Sequence, residues 1–235
     1  MEHTGSKNGI ATLSPSELAQ YIDHTLLRPE ATEAEIDKLC AEAVEFSFKA
    51  VCVERRWITR AKELVRGSSV LVATVLSFPL GLDSTVEKHR QAVESLDLGA
   101  DEMDMVLHRG WLKDKKYREV MLDIRGVVEA ACGAPVKVIL ETSELSREEK
   151  IVACGLAKAA GAGFVKTSTG FSKSGATVED VKLMREVVGR DMGVKASGGV
   201  RSYQDALAMI AAGATRLGTS AGVALVKGAR GEGNY

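Results

Sequence analysis

Aromatic side chains are scarce in this chain, with Phe, Trp and Tyr together making up 5% of 235 residues. The apolar mass is instead Ala, Val, Leu and Ile, which suits alternating helices and buried parallel strands better than a β-sandwich. Cysteine is limited to Cys40, Cys52, Cys132 and Cys154, with no CxxC pair and no metal-ligand spacing. That pattern excludes a disulfide scaffold and predicts reduced, mostly buried thiols. His3, His24, His89 and His108 form no ligand cluster, so no metal and no other cofactor is expected. A formal net charge of −1 offers no global attraction to nucleic acid or an anionic membrane, so any anion site must be local. No apolar run is long enough to span a bilayer, and the polar start MEHTGSKNG lacks a signal-like apolar core; a soluble, cytoplasmic protein is expected.

What the chain does have is an alternation of short apolar runs and amphipathic stretches. Strand candidates lie at 21–25, 50–53, 70–76, 102–107, 136–140, 164–167, 193–196 and 216–219. Helical periodicity fills 33–46, 85–98, 117–131, 148–160, 178–188 and 203–212. Several helices close on glycine, as at Gly99, Gly133, Gly161, Gly189 and Gly213, where a left-handed cap ends the helix before the next strand. Eight strands with intervening helices and no Pro/Ser-rich linker predict an α/β fold, a single (β/α)8 TIM barrel over 1–235. A short polar extension (about 1–13) and a flexible tail (about 228–235) flank it. The first strand is the weakest, and without it the alternative is a seven-stranded open sheet.

A barrel gathers chemistry at the carboxyl ends of its strands, and there the apolar runs carry charge. Lys166 sits in FVKTSTGF, where an apolar strand enters a hydroxyl-rich loop. A lysine there either snorkels or pairs with a carboxylate, or it is buried as an amine. Burial removes hydration and lowers its pKa, leaving a nucleophile for carbonyl groups. In EMDMV, Glu102 and Asp104 share one strand face and Met103 and Met105 the other, so the acidic pair should look into the mouth. Lys195 closes the next-to-last strand, in GVKASGGVR. Held as an ammonium, it would lower the pKa of Lys166 further. A reference lysine is neutral in about one molecule in 2,500 at pH 7, and a pKa roughly three pH units lower makes that about a quarter. Gly198 and Gly199, with Gly218, Thr219, Ser220 and Gly222 near the last strand, offer backbone N–H groups where barrels often bind phosphate, without calling for an arginine.

These residues resemble the deoxyribose-phosphate aldolases, class I aldolases on a (β/α)8 barrel. The resemblance runs through YIDHTLLRP, AVCV, TVLSFPLG, GADEMDMV, KVILET, FVKTSTGF, VKASGGVR and RLGTSAGV, nearly the whole chain. It implies reversible cleavage of 2-deoxy-D-ribose 5-phosphate to acetaldehyde and D-glyceraldehyde 3-phosphate, so the partners expected are small sugar phosphates and aldehydes. By the same resemblance, Lys166 is the Schiff-base nucleophile, Asp104 a proton donor and acceptor working through a water, and Lys195 the partner that depresses Lys166 and relays protons. Thr169 corresponds to a substrate-hydroxyl contact, and Gly170, Gly198, Gly199 and Ser220 to phosphate-loop positions. Departures from the usual pattern are Ala221, Ser77, Glu54-Arg55, His108 and Gln91, none of them in the catalytic trio. They bear on phosphate affinity and substrate range. Tyr235, at the end of a glycine-rich arm, is an accessory candidate for proton transfer, against the ordinary fraying of a terminus. His24 and His108 read as structural or supporting groups. Exposed apolar residues on outer helices are compatible with a homodimer. Two rivals stay open: another phosphosugar-converting or Schiff-base barrel enzyme, and a barrel that binds phosphorylated metabolites without turnover.

Overall fold

Short runs of β-branched and other apolar residues become strands because each is too brief for a helix and is bounded by turn-forming residues. In the computed structural model, which describes residues 12–231, eight such strands pair in parallel and in chain order until the last meets the first. They are β1 (Ile22–Leu26), β2 (Ala50–Val53), β3 (Leu71–Leu76), β4 (Glu102–Val106), β5 (Val136–Ile139), β6 (Phe164–Lys166), β7 (Gly193–Ser197) and β8 (Arg216–Thr219). The closed barrel removes the open-sheet alternative, because β1 pairs on both sides: Asp23 opposite Ala50 of β2, and Ile22 opposite Leu217 of β8.

The helices are α1 (Pro15–Ala19), α2 (Glu33–Glu45), α3 (Ile58–Leu64), α4 (Thr85–Asp97), α5 (Arg109–Lys113), α6 (Tyr117–Ala130), α7 (Arg147–Ala159), α8 (Val178–Val188), α9 (Tyr203–Ala211) and α10 (Gly222–Val226). The six long predicted stretches match α2, α4, α6, α7, α8 and α9 to within a residue at each end. Reciprocal capping boxes start α1 (Ser14 with Glu17), α7 (Ser146 with Glu149) and α9 (Ser202 with Asp205). Glycine follows α4 and α7 as predicted, with Gly99 at φ 101° and Gly161 at φ 87°, backbone that a side chain would strain. Sequence periodicity does not reveal α1, α3, α5 and α10. They span only five to seven residues, too few turns to display an amphipathic repeat.

Strand alternation divides the molecule into an apolar shell and a charged lumen. Met103, Met105, Val138, Val165, Val194, Ala196 and Leu217 face out and pack with the helices in one continuous core. Their neighbours in sequence, Glu102, Asp104, Lys137, Lys166, Lys195 and Arg216, are also buried, but inside the barrel. Cys40, Cys52 and Cys154 are buried free thiols and Cys132 is an exposed one. At the near end of the tail, Arg230 bridges Ser202, and Gly231 N–H donates to the Arg201 carbonyl at 2.8 Å. Tyr235 lies outside the described residues.

One ion pair lies outside the lumen and is just as dry. Lys88 of α4, fully buried, donates to Asp123 of α6 at 2.6 Å and to the Val106 carbonyl at the end of β4 at 3.1 Å. Thr85 donates to the other Asp123 oxygen at 2.8 Å. Removing one member strands the other in the core. We expect Lys88→Met to cost about 3–5 kcal/mol in urea unfolding, with Lys88→Met/Asp123→Leu recovering most of it.

Candidate active site

β4 and β5 pair with Asp104 opposite Lys137, and β6 and β7 with Lys166 opposite Lys195. Because these positions share the inward face, three lysine amino groups converge on one carboxylate. Asp104 accepts from Lys137 at 2.7 Å on one oxygen, and from Lys166 and Lys195 at 2.8 Å each on the other. Lys195 also donates to Asp23 at 2.5 Å. A deeper layer completes the network: Lys137 reaches Glu102 at 2.9 Å, and Arg216 bridges Asp23 at 2.8 Å and Glu102 at 2.8 and 3.1 Å. Phe164 closes this layer, 5.4 Å below the Arg216 guanidinium.

Every member is at most 5% exposed, so burial is the largest single influence on each group discussed here. For Lys166 it prevails: burial lowers the pKa, the Asp104 carboxylate opposes, and the neighbouring Lys195 ammonium adds to the fall. For Lys195, burial also works downward, but Asp104 and Asp23 outweigh it and hold the ammonium well above its ordinary range. Lys137 is raised in the same way, chiefly by Asp104 against burial. Asp104 and Asp23 are held below the usual carboxylate range, since their surrounding cations overcome the burial that would raise them. Two lysines side by side thus have opposite tendencies. Lys195 lies between two carboxylates, whereas Lys166 has only its share of one.

The predicted trio therefore meets in space, with Asp104 touching Lys166 directly. Sequence reasoning missed Lys137, Asp23 and Arg216. The signal was available, because each is a charged residue at an inward position of an apolar strand, the same feature that singles out Lys166.

Thr169, Gly170, Gly198, Gly199 and Ser220 lie at the mouth. Gly170, Gly198 and Ser220 line a cavity of about 380 Å³ together with Gly199, Ser172, Lys173, Ser174, Gly175, Val200, Arg201 and Thr219. Among the described residues its lining carries two cations and no carboxylate, so it suits an anion. Its floor is backbone: Gly198 and Gly199 take φ of 82° and 80°. A Cβ on Gly175 would stand 2.0 Å from the Gly198 carbonyl oxygen. The expectation that no arginine is called for meets a cavity wall that includes Arg201.

Thr169 lies outside this lining and is held by a residue that sequence reasoning did not single out. Glu141, fully buried and left-handed at φ 59°, accepts from the Thr169 hydroxyl at 2.5 Å and the Ser172 hydroxyl at 2.8 Å. Only the folded backbone after β5 reveals that geometry. His24 bonds Glu42 at 2.8 Å, and His108 stacks on Trp111 at 4.0 Å, both away from the lysines.

Two departures are one feature. The Ser77 N–H donates to Gln91 at 2.8 Å, and Gln91 donates to Asp83 at 2.8 Å, bracing the loop after β3. Ala221 is buried, and Gly231 passes so close that a Cβ there would meet the Ala221 methyl at 2.2 Å. Glu54 is half-buried, and burial raises its carboxyl pKa. Arg55 pairs with Glu94 at 3.3 Å.

A parallel barrel whose lumen holds a depressed lysine beside a protonated one belongs to the class of amine-using, carbonyl-processing barrels. The sequence profile of the DeoC/LacD family aldolases matches residues 17–228, and the chain belongs to that family. It is 58% identical over 218 residues to the deoxyribose-phosphate aldolase of Streptococcus sanguinis, covering 93% of this chain and 99% of that protein. The deoxyribose-phosphate aldolase of Enterococcus faecalis is 56% identical over 218 residues, covering 92% and 99%. The tetrameric deoxyribose phosphate aldolase structure from Aeropyrum pernix superimposes with a TM-score of 0.85 at 34% identity, covering 91% of each chain.

The network sets an acid limit. Asp23 is depressed in the folded protein, so the stability it contributes is fully present above the unfolded carboxylate pKa of about 3.9 and is lost as pH falls below it. We expect wild-type unfolding free energy to drop below about pH 4. Asp23→Asn should lower it by about 3–5 kcal/mol at neutral pH and flatten the acid slope, as read by urea unfolding at several pH values.

Proposed function

We propose that this chain is a class I aldolase that reversibly cleaves 2-deoxy-D-ribose 5-phosphate to acetaldehyde and D-glyceraldehyde 3-phosphate through a Schiff base on Lys166. One observation carries the reading: Lys166 and Lys195 share an Asp104 oxygen at 2.8 Å each, yet only Lys166 is depressed. The free amine adds to the C1 aldehyde, and loss of water from the adduct leaves a protonated imine. Removal of the C3 hydroxyl proton lets the C2–C3 electron pair move into that imine. D-glyceraldehyde 3-phosphate departs and an enamine remains. Protonation at C2 and hydrolysis then release acetaldehyde and restore Lys166.

In this mechanism Asp104 and Lys195 form the proton store, since Asp104 accepts from the amino groups of three lysines and Lys195 keeps its own proton. Thr169 contacts a substrate hydroxyl. Gly170, Gly198, Gly199 and Ser220, with Lys173 and Arg201 beside them, hold the phosphate. Deoxyribose phosphate breakdown, in the cytoplasm, is the corresponding cellular role.

Borohydride reduction in the presence of deoxyribose 5-phosphate should place a two-carbon adduct on the Lys166 peptide, and Lys166→Arg should take up none. Adduct absent from Lys166 would refute the mechanism. Lys195→Met removes a like charge and leaves Asp104 to Lys166, so both effects raise the Lys166 pKa. The acid limb of kcat/KM should therefore move to higher pH, with kcat down by at least about a hundredfold.

A further inference from the structure

The Ser197 hydroxyl is buried, with its residue 1% exposed, and has no hydrogen-bond partner among the described residues. Its neighbours are well supplied: the Ser197 N–H donates to the Thr167 hydroxyl at 3.0 Å, and the Ser197 carbonyl accepts from that hydroxyl at 3.1 Å and from Ala176 N–H at 3.1 Å. A donor and two lone pairs left idle in a dry place are unusual, because burial without a partner forfeits the bonds water would make.

The direction of the side chain is fixed by parity. Lys195 points into the lumen and Ala196 into the outer core, so Ser197 points into the lumen, its backbone one layer nearer the mouth than that of Lys195 and its hydroxyl beside the Lys195 side chain. Across the strand pair it faces Gly218, where a Cβ would stand 2.3 Å from the Ser197 oxygen and 3.0 Å from Lys195 Cε. Without that Cβ, the hydroxyl can lean over β8. Chain order then matters: β7 leads from Lys195 through Ser197 to Gly198 and Gly199, that is, from the amine end of the site to the anion cavity.

We propose that Ser197 is a substrate-binding residue whose hydroxyl bonds a hydroxyl group on the carbon chain between the imine carbon and the phosphate. The assignment rests on the proposed aldolase function and adds a contact to it. A substrate held by Lys166 at one end and by the cavity at the other must pass this layer. A deoxysugar phosphate carries hydroxyls there, whereas acetaldehyde carries none.

Ser197→Ala separates this role from a structural one. Loss of an unpartnered buried hydroxyl should leave the urea midpoint unchanged or raised, while kcat/KM for deoxyribose 5-phosphate falls about tenfold, the size of one hydrogen bond. Borohydride trapping of acetaldehyde on Lys166 should keep its wild-type rate, since that two-carbon aldehyde does not reach Ser197. An unchanged kcat/KM for deoxyribose 5-phosphate would overturn the proposal, and so would an equal loss in both reactions, which would mean that Ser197 acts only by shaping Lys195. Failure of the wild-type protein to cleave deoxyribose 5-phosphate would instead overturn the function itself, a result distinct from either.

Discussion

Asp104 is the group on which the lumen depends. Three buried lysine amino groups point at its two oxygens, and among the described residues no other carboxylate pairs with Lys166. Its position is a matter of register. β4 must enter the barrel with Glu102 and Asp104 inward and Met103 and Met105 outward, and a slip of one residue would exchange them. That exchange would put two carboxylates into the apolar shell and two thioethers among lysines, so the cost of the wrong register is large and the right one is well specified. The buried Lys88, bonded to the Val106 carbonyl, fastens the end of the same strand from outside.

The charge count explains why Lys166 is the lysine that yields. The lumen network contains Asp23, Glu102 and Asp104 against Lys137, Lys166, Lys195 and Arg216, three anions against four cations. An unbalanced charge in a dry interior is expensive, and the cheapest remedy is for one cation to lose its proton. Arginine does so least readily, and Lys137 and Lys195 each have at least two carboxylates close by. Lys166 has only a shared oxygen. Loss of that proton would bring the count among the described residues to three against three, which is the direction in which the surroundings move the Lys166 pKa.

Much of this was legible in the sequence, but unevenly. The eight strands and six long helices follow from periodicity, which is a local property, and they came out within about a residue or two. The trio of Lys166, Lys195 and Asp104 could be picked out because each is a charge on an apolar strand near its carboxyl end. Lys137, Asp23 and Arg216 are also charges on apolar strands, but they lie near the amino ends, and their importance comes from which of them touch, which is fixed by pairing around the closed barrel, β1 with β8 included. Glu141 was harder still. Its hold on Thr169 depends on a left-handed backbone at a residue that is not glycine, which no pattern of side chains announces.

The departures from the family pattern fall outside the lumen, and the manner in which they are absorbed separates anchoring from chemistry. The Ser77 backbone N–H bonds the Gln91 side chain, and the Ser77 hydroxyl accepts from Asp83 N–H, so both residues brace the loop after β3. Ala221 sits where the chain doubles back, pressed against Gly231, and a larger side chain would compete with that backbone for space. None of these three residues lines the anion cavity, whose floor consists of glycine backbone with N–H groups that do not depend on the side chain at any one position. The lumen has no such slack. Each of its charges has a named partner on a neighbouring or facing strand, and altering one leaves another unpaired in the dry interior. Changes at the anion cavity are therefore accessible to this fold one residue at a time, whereas changes in the lumen network require several residues to move together.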